Sequence, residues 1–310
     1  MHALALARQR LRARLDSPSL RTPVRLARGL VKQGQPQYLP VLSSALAQDL
    51  LERGYDALTL ERVYQNRAAG DLGMVGRVAD RVVLDLPVHS ALRERLQAFT
   101  GEICAAAVVA VRNGESEFRL LSSPCGLGQE LLSAGERLRA TRPETFARLR
   151  CWGVDPDPQG EILPEARRRA RELGFRVGTE APTGRAADGA PSIEFLREDL
   201  RRRRGVSALV RNHGPFHFIC CPGLALSHSV AEVTELIGFY TGLLAPGGQI
   251  AVDRWQAAET TRLDRCLSVP ITHMARSEFR RILEKAGLEP IREHMTGEGG
   301  CVVTLAQRPV

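Results

Sequence analysis

The segment Phe118-Arg-Leu-Leu-Ser-Ser-Pro-Cys-Gly-Leu-Gly-Gln-Glu130 constrains the fold of this chain more than any other. A short apolar run ends in small residues and two glycines, and a helix-compatible stretch, Gln129 to Leu138, comes directly after. In an open α/β sheet this is how a strand delivers a tight turn against a nucleotide-like ligand. Gly126 and Gly128 let the backbone approach such a ligand, because a Cβ there would fill the space. A Gly-x-Gly by itself is a weak signal, and it gains meaning only from the strands and acids downstream of it.

From Phe118 onward, short apolar runs alternate with helical patterns. Strands are predicted at 118–122, 150–154, 192–196, 216–221, 248–253, 289–294 and 301–306, and helices at 127–138, 161–173, 229–243 and 276–286. Val230, Val233, Leu236, Ile237, Tyr240 and Leu244 give the third helix an apolar face. Such alternation means a mainly parallel sheet covered by helices. The last two strands share only a short glycine-bearing link, so they pair as a hairpin. The expected fold is α/β: a seven-stranded mainly parallel sheet with an antiparallel C-terminal edge hairpin and helices on both faces, preceded by a helical N-terminal region.

That region reads as helical from about residue 40. Leu92, Leu96, Phe99, Ile103 and Ala106 recur at helical spacing and predict one helix from Val88 to Val111, with Pro87 just before its start. Two shorter helices precede it, and the glycine-bearing loop Ala68 to Val75 between them and Pro87 is a candidate flap. The first 35 residues are basic, with eight cations from Arg8 to Lys32 opposed only by Asp16, and are expected to form a partly ordered helical arm. The expected domains are 1–112, a helical arm and lid, and 113–310, the sheet domain.

Composition narrows the function classes. Apolar residues make up 44% and charged residues 25%, as in ordinary globular proteins. No apolar run is long enough to span a bilayer and no signal-peptide order is present, so the expected location is cytoplasmic. Seven cysteines, an odd count without metal-ligand spacing, predict reduced thiols and no metal site. The net charge of +8 fits an anionic partner, or simply arginine usage spread along the chain.

Asp155 ends the second predicted strand, where a carboxylate meets ribose hydroxyls of a ligand lying over the first turn. Its separation from the glycines exceeds the roughly 20 residues usual for a dinucleotide fold. The competing reading is a helix cap. Asp199, after the third predicted strand, suits an acceptor for an exocyclic amine such as adenine N6, with Leu200 packing on the base. Glu198 competes for that role, and a solvated acid is the plain alternative. Cys220 and Cys221 end the next strand at the carboxyl edge of the sheet. Pro246-Gly247-Gly248 feeds the strand after it.

In this order the features resemble the class I S-adenosylmethionine-dependent methyltransferase family, over Phe118 to Val310. Ser123-Pro-Cys-Gly-Leu-Gly128 resembles its glycine-rich first motif, Asp155 its ribose acid, Asp199 its adenine-contacting acid and Leu244-Ala-Pro-Gly-Gly-Gln-Ile its loop and fifth strand. The resemblance implies a Rossmann-like domain with S-adenosyl-L-methionine as cofactor. It further implies that Ser123, Pro124, Cys125, Gly126, Gly128, Asp155, Pro156, Asp199, Leu200, Cys220 and Cys221 line the cofactor site. Two departures stand out. Ser122-Ser-Pro-Cys replaces the usual first-motif acid, so the methionine ammonium must be held from elsewhere, and His217 stands where an acid often begins the fourth strand.

Methyl transfer needs the acceptor held close and aligned, and needs a base only when the acceptor starts protonated. His228 is the candidate base. Its competing reading is a helix-start histidine beside a Ser227 or Ser229 cap. Asp253 and Arg254 are further candidate acceptor contacts. The expected activity is methylation of a small, apolar or acidic molecule at oxygen, nitrogen or a carboxylate, with the helical region serving as lid and homodimer contact. An RNA methyltransferase is the alternative, favoured by the basic arm and Arg201–Arg204 but opposed by the 5% aromatic content, so nucleic acid is disfavoured as a partner. A cofactor-binding protein without catalysis is another. A nicotinamide dehydrogenase is opposed by Leu131, which breaks Gly-x-Gly-x-x-Gly.

Overall fold

The computed structural model describes residues 44–68, 73–178, 190–200, 202–256, 272–297 and 300–310. The basic arm, residues 69–72 of the candidate flap, Arg201 and Cys266 lie outside the described residues. Two compact units divide between Ser90 and Ala91, inside the long predicted helix and not at its end near 112.

The first unit contains α1 (Ala45–Arg53), α2 (Ala57–Gln65) and α3 (Gly73–Leu84). Ser44 and Asp56 are polar stops whose side chains accept from Ala47 N and Thr59 N, so each caps a helix start. Asp80, buried on α3, accepts from the Ser44 hydroxyl at 2.7 Å and from Leu46 N at 3.2 Å, which ties α3 to the start of α1. The predicted long helix is α4 (Pro87–Arg112), with Pro87 as its first residue. Proline fits there because its missing N–H has no helical partner to lose.

The second unit is a sheet between two helical layers. In chain order it runs β1 (Phe118–Ser122), α5 (Gln129–Thr141), α6 (Pro143–Phe146), β2 (Leu149–Asp155), α7 (Ile162–Glu172), β3 (Arg176–Gly178) and β4 (Ser192–Arg197). It continues with α8 (Arg204–His213), β5 (Phe216–Cys221), α9 (Leu224–Ser227), α10 (Val230–Leu243), β6 (Leu244–Trp255), α11 (Arg276–Lys285), β7 (Glu289–Thr296) and β8 (Cys301–Gln307). The strand order is β3-β4-β2-β1-β5-β6-β8-β7. The β3 to β6 pairings are parallel, and β8 runs antiparallel between β6 and β7.

The sheet thus has eight strands among the described residues, where seven were expected. The addition, β3, is a three-residue edge strand that pairs only with β4. Helix α8 was also unexpected. It hides behind the arginine run, and its buried side is only Val206 and Leu209.

Side chains of the β-strands alternate between two cores, as the pleat requires. Phe118, Leu120, Cys151, Ile193, Phe195, Phe218, Cys220 and Ala251 pack with α4, α5 and α7 on one face. Leu121, Trp152, Val154, Ile219, Cys221, Ile250 and Val252 pack with α8, α10 and α11 on the other. Among the described residues no helix is long and apolar enough to cross a membrane.

Candidate functional site

All parallel strands point their carboxyl ends to one edge of the sheet, and the chemistry-bearing residues gather there. After β1 the chain turns through Ser123 and Pro124, whose peptide bond is cis. Ser123 N donates to the Cys220 carbonyl at 2.9 Å, and Cys125 N donates to the Val154 carbonyl at 2.9 Å. The turn is thereby pinned to β5 on one side and β2 on the other. Gly126 and Gly128 have φ of 50° and 72°, a region that favours glycine. A Cβ on Gly128 would lie 3.0 Å from the Phe195 ring. Gly153 on β2 is tighter still: a Cβ there would come within 2.7 Å of Phe195 and 3.0 Å of Cys125 Sγ. The Phe195 ring therefore occupies the space that the two glycines leave, and sets the height of the turn above the sheet.

Asp155 ends β2 beneath this turn. Its Oδ2 accepts from Gly126 N at 2.8 Å and its Oδ1 from Asp157 N at 3.0 Å. Burial pushes its carboxyl above the usual carboxylate range, and these two backbone donors pull it back. Each oxygen keeps a second lone pair able to accept from a diol. The capping role weighed for Asp155 belongs instead to Asp157, which accepts from Ile162 N and Leu163 N at 3.1 Å each. Pro156 is exposed beside it.

Glu198 and Asp199 stand in different surroundings. Glu198 accepts from Gly205 N at 2.6 Å and Val206 N at 3.0 Å and so caps α8. Asp199 is exposed, one residue beyond the Glu198 N–H that donates to the Asp155 carbonyl at 3.0 Å. Leu200 is buried in the core with α8.

Cys220 and Cys221 correct an expectation. Both are fully buried, and they point to opposite faces of the sheet, because neighbours on a strand alternate. Neither faces an open crevice, and burial pushes both thiols well up. His228 comes directly after α9, with its Nδ1 3.0 Å from the Leu224 carbonyl. A carbonyl only accepts, so Nδ1 carries the hydrogen and Nε2 carries the lone pair of the neutral ring, the form a base requires. The adjacent helix cap is Ser229, which forms a capping box with Glu232 at the start of α10. His217 lies at the opposite edge, stacked on Phe118 and accepting from Arg119 N.

Asp253 and Arg254, expected as acceptor contacts, are both buried, and Asp253 belongs to a buried charged group at this same edge whose other members, Arg95 and Glu130, sequence reasoning missed. Arg95 on α4, Glu130 on α5 and Asp253 on β6 are 2%, 3% and 0% exposed. Arg95 Nη1 meets Asp253 Oδ2 at 3.1 Å, and Asp253 Oδ1 accepts from Gly223 N at 2.6 Å. Burial, with a smaller push from Asp253, raises the Glu130 carboxyl to about 7, although Arg95 opposes the shift. A signal was present: Arg95 falls on the apolar face of Leu92, Leu96 and Phe99, and Glu130 on that of Ala134 and Leu138. Near them the Ser122 hydroxyl is buried without a partner, whereas Ser123 Oγ and Tyr240 OH share a 2.7 Å hydrogen bond. No cluster able to hold a metal occurs among the described residues.

Comparison with known proteins bears on the family and the fold. A family model described as "Putative methyltransferase" matches residues 12–178. No curated protein sequence matches the chain. Among solved structures, a possible exported protein from Bordetella parapertussis superposes with a TM-score of 0.66 at 20% identity, covering 94% of this chain and 96% of that one. Magnesium protoporphyrin IX methyltransferase from Synechocystis PCC 6803, with bound SAM, gives 0.50 at 16% identity, covering 84% and 94%. At these identities the likeness is one of fold.

Proposed function

The chain belongs to the methyltransferase family whose model it matches, and from that premise we propose that it transfers a methyl group from S-adenosylmethionine to a small apolar or acidic acceptor, at oxygen, nitrogen or a carboxylate. The observation that carries this reading is the joint of the glycine turn with Asp155. A backbone turn whose positive φ favours glycine is clamped onto a buried carboxylate that ends the neighbouring strand. This arrangement fits an adenosine: the glycines give the turn its positive φ, Asp155 accepts from the ribose hydroxyls, and exposed Asp199 accepts from the adenine amine. The Synechocystis structure of the same fold carries SAM.

S-adenosylmethionine, when bound, supplies a methyl group on a sulfonium, open to in-line displacement. The rest is the work of the chain. Ser123 to Gly128 shape the floor, and the paired Ser123 and Tyr240 hydroxyls hold that floor against α10. His228 takes the proton from an acceptor that carries one, from the tautomer its Leu224 contact imposes. The helices before α4 are assigned the role of lid, excluding water from the acceptor, and of homodimer contact, while α4 from Ala91 onward belongs to the core of the second unit. Exposed Met74, Val75 and Val78 on α3 support an apolar surface there. The free cysteines among the described residues support a reducing, cytoplasmic setting.

Thermal unfolding with S-adenosylmethionine, S-adenosylhomocysteine or NAD tests the reading. A ligand of the native state at 100 times its Kd stabilises by about 2.7 kcal/mol. The first two should raise the midpoint and NAD should not. No shift with either sulfur ligand, or an equal shift with NAD, refutes it.

A further inference from the structure

The cofactor reading leaves one group without a holder, the methionine ammonium, because Ser122 and Ser123 stand where the first-motif acid would be. The structure places three buried ionisable groups at the carboxyl ends of β1, β5 and β6, on the face covered by α4 and α5. They are one cation, Arg95, and two acids, Asp253 and Glu130. Asp253 is committed: one oxygen faces the Arg95 guanidinium and the other accepts from Gly223 N. Glu130 is not committed in this way. Its carboxyl meets its own backbone N–H and feels Arg95 and Asp253 through space.

Charge balance then sets what this cluster accepts. Buried charge is tolerated when it sums close to zero. Arg95 and Asp253 cancel. A neutral Glu130 keeps the cluster neutral, and an ionised one leaves a net negative charge that nothing in the cluster matches. A cation arriving beside Glu130 restores the balance. Glu130 sits in the first turn of α5, two residues after Gly128, so its Cα is fixed to the turn that carries the cofactor.

We propose that Glu130 replaces the missing first-motif acid and receives the cofactor's methionine ammonium, releasing its own proton to solvent as the ion pair forms. This rests on the cofactor reading above. The balance is simple: the carboxyl O–H bond breaks, the proton leaves to buffer, and the carboxylate pairs with an ammonium that keeps all its hydrogens. The titratable neighbours of Glu130 are Arg95 from α4, Asp253 from β6, Cys220 from β5 and Cys125 from the turn. Burial holds both thiols neutral well above neutral pH, and Arg95 stays charged, so Glu130 is the group in this cluster that changes state there.

Titration calorimetry on the whole chain tests this with two ligands. S-adenosylhomocysteine carries the ammonium and the carboxylate; 5′-methylthioadenosine shares the adenosine and thioether but lacks both. Each is titrated between pH 6 and 9 in phosphate and in Tris, whose ionisation enthalpies differ, so the difference in heat counts protons. The homocysteine ligand should release about half a proton at pH 7, nearly one at pH 6 and almost none at pH 9, following a carboxyl that titrates at about 7. Methylthioadenosine should release none. Glu130→Gln should weaken the homocysteine ligand at least about tenfold, abolish the buffer dependence, and leave methylthioadenosine within about threefold. If the variant does not fold, the contrast between ligands on the unmodified chain still decides. Equal release with both ligands, or none with the homocysteine ligand, overturns the proposal while leaving the cofactor reading intact. Binding of neither ligand overturns both.

Discussion

Removing the Arg95 guanidinium should reveal how much of the stability of the second unit hangs on one buried pair. Arg95→Met keeps much of the stem volume and deletes the charge. It leaves Asp253, 0% exposed, facing nothing that neutralises it. Two unit charges about 4 Å apart attract by about 4 kcal/mol at an effective dielectric of 20. Here the closest atoms are 3.1 Å apart. Breaking a buried pair from one side typically costs about 3–5 kcal/mol, since the orphaned charge has lost both water and partner. Against a total stability of about 5–15 kcal/mol, that is a large fraction. Asp253→Leu alone should also destabilise, because Gly223 N loses its acceptor and Arg95 keeps only Glu130 as the other acid of the cluster. The double variant should be closer to the parent than the sum of the singles, with a coupling of about 2 kcal/mol or more. Urea unfolding followed by tryptophan fluorescence reads this cleanly, since Trp152 and Trp255 are the two tryptophans and both lie buried in the second unit. The loss should also persist at 1 M salt, which screens exposed pairs far more than buried ones. A cost below about 1 kcal/mol for Arg95→Met, or strict additivity, would refute the reasoning.

The same geometry predicts three further outcomes. Because the native Glu130 carboxyl titrates at about 7 and the unfolded one near 4.5, the native state holds a proton that the unfolded state has lost. Stability should therefore fall by up to about 3 kcal/mol as pH rises from about 4.5 to 7 and level off above; Glu130→Gln should remove that slope, and parallel pH curves would contradict it. Asp155→Asn leaves one of Gly126 N and Asp157 N without its acceptor and should cost about 1–3 kcal/mol in urea unfolding together with weaker cofactor binding; unchanged binding would speak against the ribose role. Gly153→Ala drives a methyl to within 2.7 Å of Phe195 and should destabilise by about 1–3 kcal/mol while displacing the Cys125 turn, visible as lost cofactor affinity.

Much of this fold was legible because its strands are apolar runs between clear breakers. The predicted strand that ends in Cys221 and the helix that ends in Leu243 agree with β5 and α10 to within a residue. The strand at 176–178 was not legible: three residues at an edge have no room for a period, and one neighbour supplies all the pairing. Helix α8 was masked by its arginines, since a face of two buried residues is a faint stripe. At the site, turn chemistry spoke through glycines and terminal acids, so Gly126, Gly128 and Asp155 come together as expected. What sequence could not show was pairing across distance. Arg95 and Asp253 are 158 residues apart and meet only once the sheet is built. The same holds for Glu198, whose role as a helix cap depends on where α8 starts. The cysteines misled because adjacency on a strand means opposite faces, so Cys220 and Cys221 never shared a surface.

The central claim is that an adenosine-bearing cofactor lies over the carboxyl ends of β1, β2 and β4. A crystal structure of the chain grown with S-adenosylhomocysteine tests it most directly. The account predicts ligand density against the Ser123–Gly128 turn, with both ribose hydroxyls within hydrogen-bond distance of the Asp155 carboxylate and the adenine amine beside Asp199. A ligand bound elsewhere, or a well-ordered turn with no ligand at saturating concentration, would contradict it.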